Sequence, residues 1–518
     1  MYSKIMTGAI DGVDAEIVTV ETDLSPGLPN MTIVGLPDIS VKEARERIRV
    51  ALDNGGYRFP AKRITVNLSP ADTRKEGTHF DLPIAVGIMA AAGDVCPDAA
   101  MKYAFIGELS LDGRINPVQG VIALAIGLRK QGIERLILPE GNKNEVSTLN
   151  DIEIYPVEHI SQVEAHLSGF SPMTAYRSRP RESPWPQRSC QGDFADVAGQ
   201  EKVKRALQVA AAAAHNILMI GPPGAGKTMM ARRLPGILPT MSYEESLEVT
   251  KIYSLAGQLA HEAGLITERP FRAPHHTISP VALAGGGSKP RPGEVSLAHL
   301  GVLFLDEFPE FQRKALEVLR QPLEDEKITV ARAAATVSYP AKIMLVAAMN
   351  PCPCGYLGHN KKKCTCSEQQ IRNYNSRISG PLTDRIDMHI EIFPVPYEDL
   401  LGEGGKSRRS LNSLQLRESV ESAAAIQAAR YKKEHIFYNS QLTPALIKKY
   451  CPLDNESKNI LKAAFEAYAF TARGSQKIIK LARTIADLEG REQISSMNLA
   501  EAIGYNRSFA ESKGGDKL

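Results

Sequence analysis

The sequence predicts an α/β fold: a phosphate-loop core on a parallel sheet, preceded by an α+β segment and followed by helices. Three observations carry this. Residues 221–228, GPPGAGKT, fit the pattern G-x-x-x-x-G-K-[ST] without departure, between the apolar run 216–220 and a stretch of helical character. Residues 301–308, GVLFLDEF, form a second apolar run ending in paired carboxylates about eighty residues later. The first 170 residues instead mix β-type alternation with short amphipathic stretches.

A chain of 518 residues exceeds one ordinary core and implies roughly two to four domains. Hydrophobic content of 43% with 23% charged residues is that of a soluble globular protein. Lys+Arg 62 against Asp+Glu 59 leaves +3, so nucleic-acid contact would have to come from local patches. The start, MYSKIMTGAIDG, has no signal-peptide core and no stretch reaches membrane-span length, which predicts a cytoplasmic protein without a membrane partner. Cys96, Cys190 and Cys451 are scattered, as reduced thiols would be.

Residues 1–170 form the first predicted domain. Segments 15–20 and 63–68 alternate as strands, and 135–139 reads as a short buried one. Ser40 is positioned to cap a helix over 41–52 with Val41, Ala44, Ile48 and Leu52 on one face; 81–92 is a second, more apolar helix. Residues 171–192 carry linker composition, with prolines, serines, Trp185, and Arg177, Arg179, Arg181 and Arg188. Solvated charges explain these arginines more simply than nucleic-acid contact.

The predicted core spans 193–395 and opens with an Ala-rich helix over 203–214. In the phosphate loop, Gly221, Gly224 and Gly226 permit the tight turn that aims backbone N–H groups at a polyphosphate, with Pro222, Pro223 and Ala225 between them. Lys227 reaches β- and γ-phosphates, and Thr228 offers a hydroxyl to magnesium. A parallel strand brings Asp306 and Glu307 to the same edge, Asp306 for the magnesium shell and Glu307 to polarise the attacking water. A further apolar strand, 343–348, leads to Asn350, a polar group placed for the γ-phosphate or the water. Arg385 is either paired with Asp384 or Asp387 or aimed at a neighbouring subunit's nucleotide.

Cys352, Cys354, Cys364 and Cys366 form two C-x-C pairs around a loop with Lys361, Lys362 and Lys363. Four thiolates suit tetrahedral zinc, with His359 as a substitute ligand; unmetallated reduced thiols are the alternative. Two loops are candidate polymer contacts: 285–292, with Lys289 and Arg291, and a hairpin over 327–339 with Arg332 near its tip. His275 and His276 are as readily structural as functional. Residues 396–510 form a helical domain over 420–432, 443–450, 456–467 and 475–489, joined to the core by the polar stretch 402–412, and 511–518 is a disordered tail.

Residues 107–117, Gly120 and 137–140 resemble the proteolytic domain of the Lon family, which has the ribosomal S5 domain 2-like fold, and the related domain of the recombination factor RadA. In that resemblance His79 stands near the place of the nucleophilic serine and Leu124 near the place of the lysine. Without a Ser–Lys dyad no acyl-enzyme can form, so a scaffold or binding module is expected in place of a protease. The phosphate-loop and acidic motifs, Asn350 and Asp384–Arg385 together resemble an AAA+ ATPase, and 271–287 is similar to the magnesium chelatase I subunit branch. The whole chain resembles the YifB/ComM family. That resemblance implies ATP and magnesium, a homo-hexameric ring, and a helicase driving branch migration on branched or single-stranded DNA in recombination and natural transformation. It also implies that the terminal helices form a lid and that Arg473 is the second sensor arginine, with Arg483 a weaker candidate. Arg385 would then be the finger. A chelatase motor and a protein-remodelling ATPase are the alternatives; the chelatase I subunits are expected to lack the Lon-like domain, which weighs against the first.

Overall fold

The computed structural model describes residues 1–177, 192–259, 264–287, 290–331, 336–359, 362–395, 411–468 and 470–513, with side chains through 506. The chain makes two compact units. One is Met1–Pro184 with Tyr243–Ile266 and Ala335–Tyr339; the other is Trp185–Ser242 with Thr267–Ala334 and Pro340–Leu518. The division is not sequential: 243–266 and 335–339, which the sequence reading placed inside a continuous core over 193–395, pack with the first unit.

The first unit is built on one mixed sheet. Among the described residues its strand order is Asn30–Val34, Arg63–Ser69, Asp14–Ser25, Tyr2–Asp11, Ala104–Phe105, Arg135–Pro139, Glu153–Val157. Tyr2–Asp11 and Asp14–Ser25 pair antiparallel through a two-residue connection, with Gly12 at φ +64° in the turn. Their alternation is the reason they are strands: Ile5, Thr7 and Ala9 on one, Val18, Val20, Thr22 and Leu24 on the other, all point inward.

Two helices cover this sheet for different reasons. Ile39–Asn54 is amphipathic and buries Val41, Ala44, Ile48, Ala51 and Leu52. Its cap is Asp38, not Ser40: the carboxylate accepts from Val41 N at 2.9 Å, and the Ser40 hydroxyl itself donates to that carboxylate at 2.6 Å. Asp81–Ala92 is apolar on every side and is buried from Asp81 to Ala91. It lies so close to the sheet that a Cβ at Gly87 would sit 2.7 Å from Thr22 Oγ1.

His79 and Leu124, the residues considered for the dyad places, are both buried. His79 is buried and its Nε2 lies 2.9 Å from Gly8 O, and burial pushes its pKa down to about 4, so it is a neutral donor to a carbonyl. Asp81 accepts two bonds from Arg47, at 2.8 and 2.9 Å. Leu124 is fully buried in the helix Val121–Lys130.

Tyr243–Leu255 is a helix of this same unit. Leu247 joins the apolar cluster of the Val121–Lys130 helix, Lys251 pairs with Asp14 at 2.8 Å, and Tyr243 donates to Thr148 O at 2.8 Å. Ser254 accepts from Gly120 N at 3.0 Å and donates to the buried Glu145. The predicted linker also begins later than composition implied, because Tyr176 N donates to Ile154 O at 2.7 Å. Arg179, Arg181, Trp185 and Arg188 lie outside the described residues.

The second unit centres on a parallel sheet, ordered Phe271–Arg272, Val302–Leu305, Met344–Met349, Ile217–Ile220, Met388–Glu391 among the described residues. Met344–Met349 and Val302–Leu305 are buried throughout, as a sheet covered on both faces requires. The helix Glu201–Ala213 shares one apolar cluster with sheet residues and with Leu416, Val420, Ile478, Leu481 and Ile485 of the later helices. Those later helices are Ser413–Tyr431, Pro444–Tyr450, Asn455–Tyr468, Ala472–Leu488 and Ser496–Lys513. The last one carries regular helix through 513, into the region read as a tail. Asn412, Thr443 and Thr471 cap three of them by accepting from backbone N–H groups. The strands Lys327–Ala331 and Thr336–Pro340 fall where the hairpin was expected; its tip, Arg332, lies outside the described residues. Among the described residues no helix is long and apolar enough to cross a membrane.

Arg47→Ala removes the partner of a fully buried carboxylate and is expected to destabilise the first unit by roughly 3 kcal/mol. Chemical denaturation of the full chain checks this; a change within experimental error would mean that Asp81 does not depend on Arg47.

Candidate nucleotide site

Ile217–Ile220 lies between Met344–Met349 and Met388–Glu391, so the loop after it leaves from the middle of the sheet edge. Gly221 N donates to Met349 O at 3.1 Å, and a Cβ at Gly221 would meet Ile392 O at 2.5 Å. Gly224 and Gly226 have φ of +79° and +86°, turning the chain into the helix Lys227–Arg233. A Cβ at Gly224 meets nothing within 4 Å, so the loop backbone faces open space. Pro222, Pro223 and Ala225 complete the turn, with Ala225 N donating to Pro222 O at 3.3 Å.

Lys227 is buried and its ammonium is shared among Gly221 O at 2.5 Å, Pro222 O at 3.0 Å and Asn350 Oδ1 at 3.1 Å. Burial pulls its pKa below the ordinary lysine value and the charge of Asp306 acts against that. The Thr228 hydroxyl donates to Asp306 Oδ2 at 2.6 Å. Thus Lys227, Thr228, Asp306 and Asn350 converge on one sheet edge. A hydroxyl and a carboxylate side by side are oxygen donors of the kind that suit a hydrated magnesium ion, and the ammonium with the loop amides suits a polyphosphate.

Glu307 leaves the strand in a left-handed conformation, φ +52°, which turns its side chain away from that of Asp306. Its Oε2 is 3.1 Å from Nδ1 of His276. His276 in turn stacks on His275 with ring centroids 4.1 Å apart and meets Phe311 edge-on. This contact gives His276 a place at the site that the sequence left undecided.

The arginines separate. Arg385 is paired with Glu324, and not with Asp384 or Asp387, and also donates to Pro381 O at 2.7 Å. Asp387 is occupied by Asn216 N at 3.0 Å and His215. Arg473 is exposed in the first turn of Ala472–Leu488. Arg483 is a core residue: its guanidinium bonds Asp487, Arg491 O and Glu492 O and is buried.

The four clustered cysteines follow Asn350 directly. Their sulfurs lie within 4.8 Å of one another, an arrangement compatible with structural zinc. His359 is not among them: its Nδ1 accepts from Lys362 N at 3.1 Å and its ring packs edge-on against Tyr356. Of the candidate polymer contacts, Arg291 is exposed on a short strand pairing with Gly285–Gly286, while Lys289 and Lys361 lie outside the described residues.

Comparison with known proteins fits this geometry. Residues 193–400 match the model described as magnesium chelatase, subunit ChlI; 20–142 match subunit ChlI of Mg-chelatase; and 410–506 match the magnesium chelatase subunit ChlI C-terminal model. The second match carries the chelatase description into the N-terminal domain, so that domain no longer argues against a chelatase-type motor. The chain is 42% identical to the uncharacterized protein YifB of Escherichia coli over 97% of this chain and 96% of that one. It is 44% identical to the competence protein ComM of Haemophilus influenzae, over 95% of each. A Lon protease of Rhizobium meliloti is 27% identical over 31% of this chain and 22% of its own length.

Two glycine substitutions test the loop. Gly221→Ala drives a methyl into the Ile392 carbonyl, for an expected loss of about 1–3 kcal/mol. Gly224→Ala meets only the left-handed backbone cost of about 1 kcal/mol. Thermal unfolding of both variants checks the order, and the reverse order would contradict the described path of the loop.

Proposed function

The chain belongs to the YifB/ComM family of magnesium-chelatase-like AAA+ proteins, and on that premise we propose that it is an ATP-hydrolysing ring motor acting on DNA. The observation that carries the proposal is the convergence of Lys227, Asn350 and the Thr228–Asp306 pair on one sheet edge. In this reading the N–H groups of 221–228 and Lys227 bind the triphosphate, and Thr228 and Asp306 hold magnesium. A magnesium ion held by Thr228 and Asp306 would supply positive charge to offset the negative charge that builds up as the phosphoryl group is transferred. Glu307 orients and polarises the attacking water once it leaves His276, and Asn350 fixes the γ-phosphate side of the site.

Arg385 acts on the nucleotide of a neighbouring subunit, which makes hydrolysis a property of a homo-hexameric ring and requires the arginine to exchange Glu324 for phosphate. The helices from Ser413 onward serve as the lid, with Arg473 as a second sensor of the phosphates. The substrate is branched or single-stranded DNA and the work is branch migration in recombination and natural transformation, a reading supported by likeness to the competence protein ComM. In this reading the Lon-like domain serves as a scaffold, which the burial of His79 and Leu124 supports. A chelatase-type motor is the second reading, favoured by the descriptions of all three matching family models.

Lys227→Ala is expected to lose nucleotide binding, and Glu307→Gln to bind ATP while hydrolysis falls by about 100-fold or more. Equilibrium binding and phosphate release measure the two effects; normal hydrolysis by Glu307→Gln would refute the assignment of the water-activating base.

ATPase activity measured with and without a four-way DNA junction tests the substrate. Several-fold stimulation that weakens steeply with salt is expected. No stimulation and no DNA retention at low salt would overturn the DNA reading.

A further inference from the structure

The thiols that follow Asn350 are arranged as the corners of a cage. Cys352 Sγ lies 3.4 Å from Cys354 Sγ and 3.6 Å from Cys364 Sγ, and Cys354 and Cys364 are 3.5 Å apart. Sulfurs about 2.3 Å from a central zinc ion at tetrahedral angles stand about 3.8 Å from one another. A disulfide would need about 2.05 Å, and thiols are weak donors with little reason to gather in fours. Within the loop Gly355 N donates to Cys352 O at 2.9 Å, and Cys366 N donates to Cys364 Sγ at 3.4 Å. Gly355 and Gly358, at φ +83° and +75°, turn the chain after the first cysteine pair.

The same loop rests on the nucleotide site. A Cβ at Gly355 would lie 2.7 Å from Pro223 Cδ and 3.9 Å from Asn350 Cγ, so the turn after the first cysteine pair lies close against both the phosphate loop and the residue that holds Lys227.

We propose that Cys352, Cys354, Cys364 and Cys366 bind one zinc ion in a closed four-thiolate site, and that this knot braces Asn350 and the phosphate loop. With all four positions taken by protein sulfur the ion has no open position for substrate, so its role is structural. Soft thiolates and tetrahedral placement select zinc over magnesium or calcium. The zinc site stands whether or not the chain hydrolyses ATP; the bracing rests on the nucleotide reading above.

The test starts with the full chain, reduced, exposed to equimolar zinc and desalted. About one zinc per chain is expected by elemental analysis, with four of the seven cysteines slow towards a thiol reagent until a mercurial displaces the metal. Reduced protein that retains no zinc overturns the site. Cys364→Ser with Cys366→Ser should lose the metal, whereas Cys366→His should keep it; equal retention by both overturns the ligand assignment. Binding of a fluorescent ATP analogue reads the brace: metal-stripped protein should bind about tenfold more weakly and recover when zinc is returned. Unchanged affinity after stripping overturns the brace. Lys227→Ala should keep its zinc while losing nucleotide, so failure of one reading is distinguishable from failure of the other.

Discussion

A parallel sheet gives each of its strands the same exit edge, and this constraint organises the second unit. Ile217–Ile220, Val302–Leu305 and Met344–Met349 run the same way side by side, so the groups after them must meet. No side chain has to reach far. Thr228 is 2.6 Å from Asp306 although 78 residues separate them, and Lys227 is 3.1 Å from Asn350 across 123 residues. The apolar runs that make the strands are therefore also what places the polar residues following them.

The polar cluster at that edge is held in check by its own partners. Lys227 is shared by two carbonyls and an amide oxygen, and Glu307 rests on His276. Each of these partners is a modest one that a phosphate, a magnesium ion or a water could replace at little cost in hydrogen bonding. Pre-paired groups of this kind keep a charged pocket folded before any ligand arrives.

Much of this was legible in the sequence because it depended on local pattern. The glycine spacing of the phosphate loop, the apolar runs before Asp306 and Asn350, and the amphipathic faces of Ile39–Asn54 and Ala472–Leu488 are set by neighbours within a few residues. What depended on distant residues was not. Ser40 and Asp38 are both reasonable caps, and only the fold shows the serine donating to the aspartate. Arg385 has two acidic neighbours in sequence yet pairs with Glu324, 61 residues away. Arg483 resembles a sensor arginine by position but meets Asp487 one turn along its own helix and is buried. Pattern also could not show that Tyr243–Leu255 belongs with the first unit and packs its Leu247 against the Val121–Lys130 helix, since its composition is that of any surface helix.

The placement of Tyr243–Leu255 bears on how the chain can be divided. The backbone leaves the second unit after Ser242 and re-enters it at Thr267, having contributed a helix to the first. Two units joined by one tether can be exchanged between genes as cassettes or separated by one cut. Units that share a threaded segment cannot: excising the first would strand the apolar side of Tyr243–Leu255 in water, and grafting it elsewhere would leave the Val121–Lys130 helix uncovered. The first unit is thus completed by a segment that the chain supplies only after the second has begun.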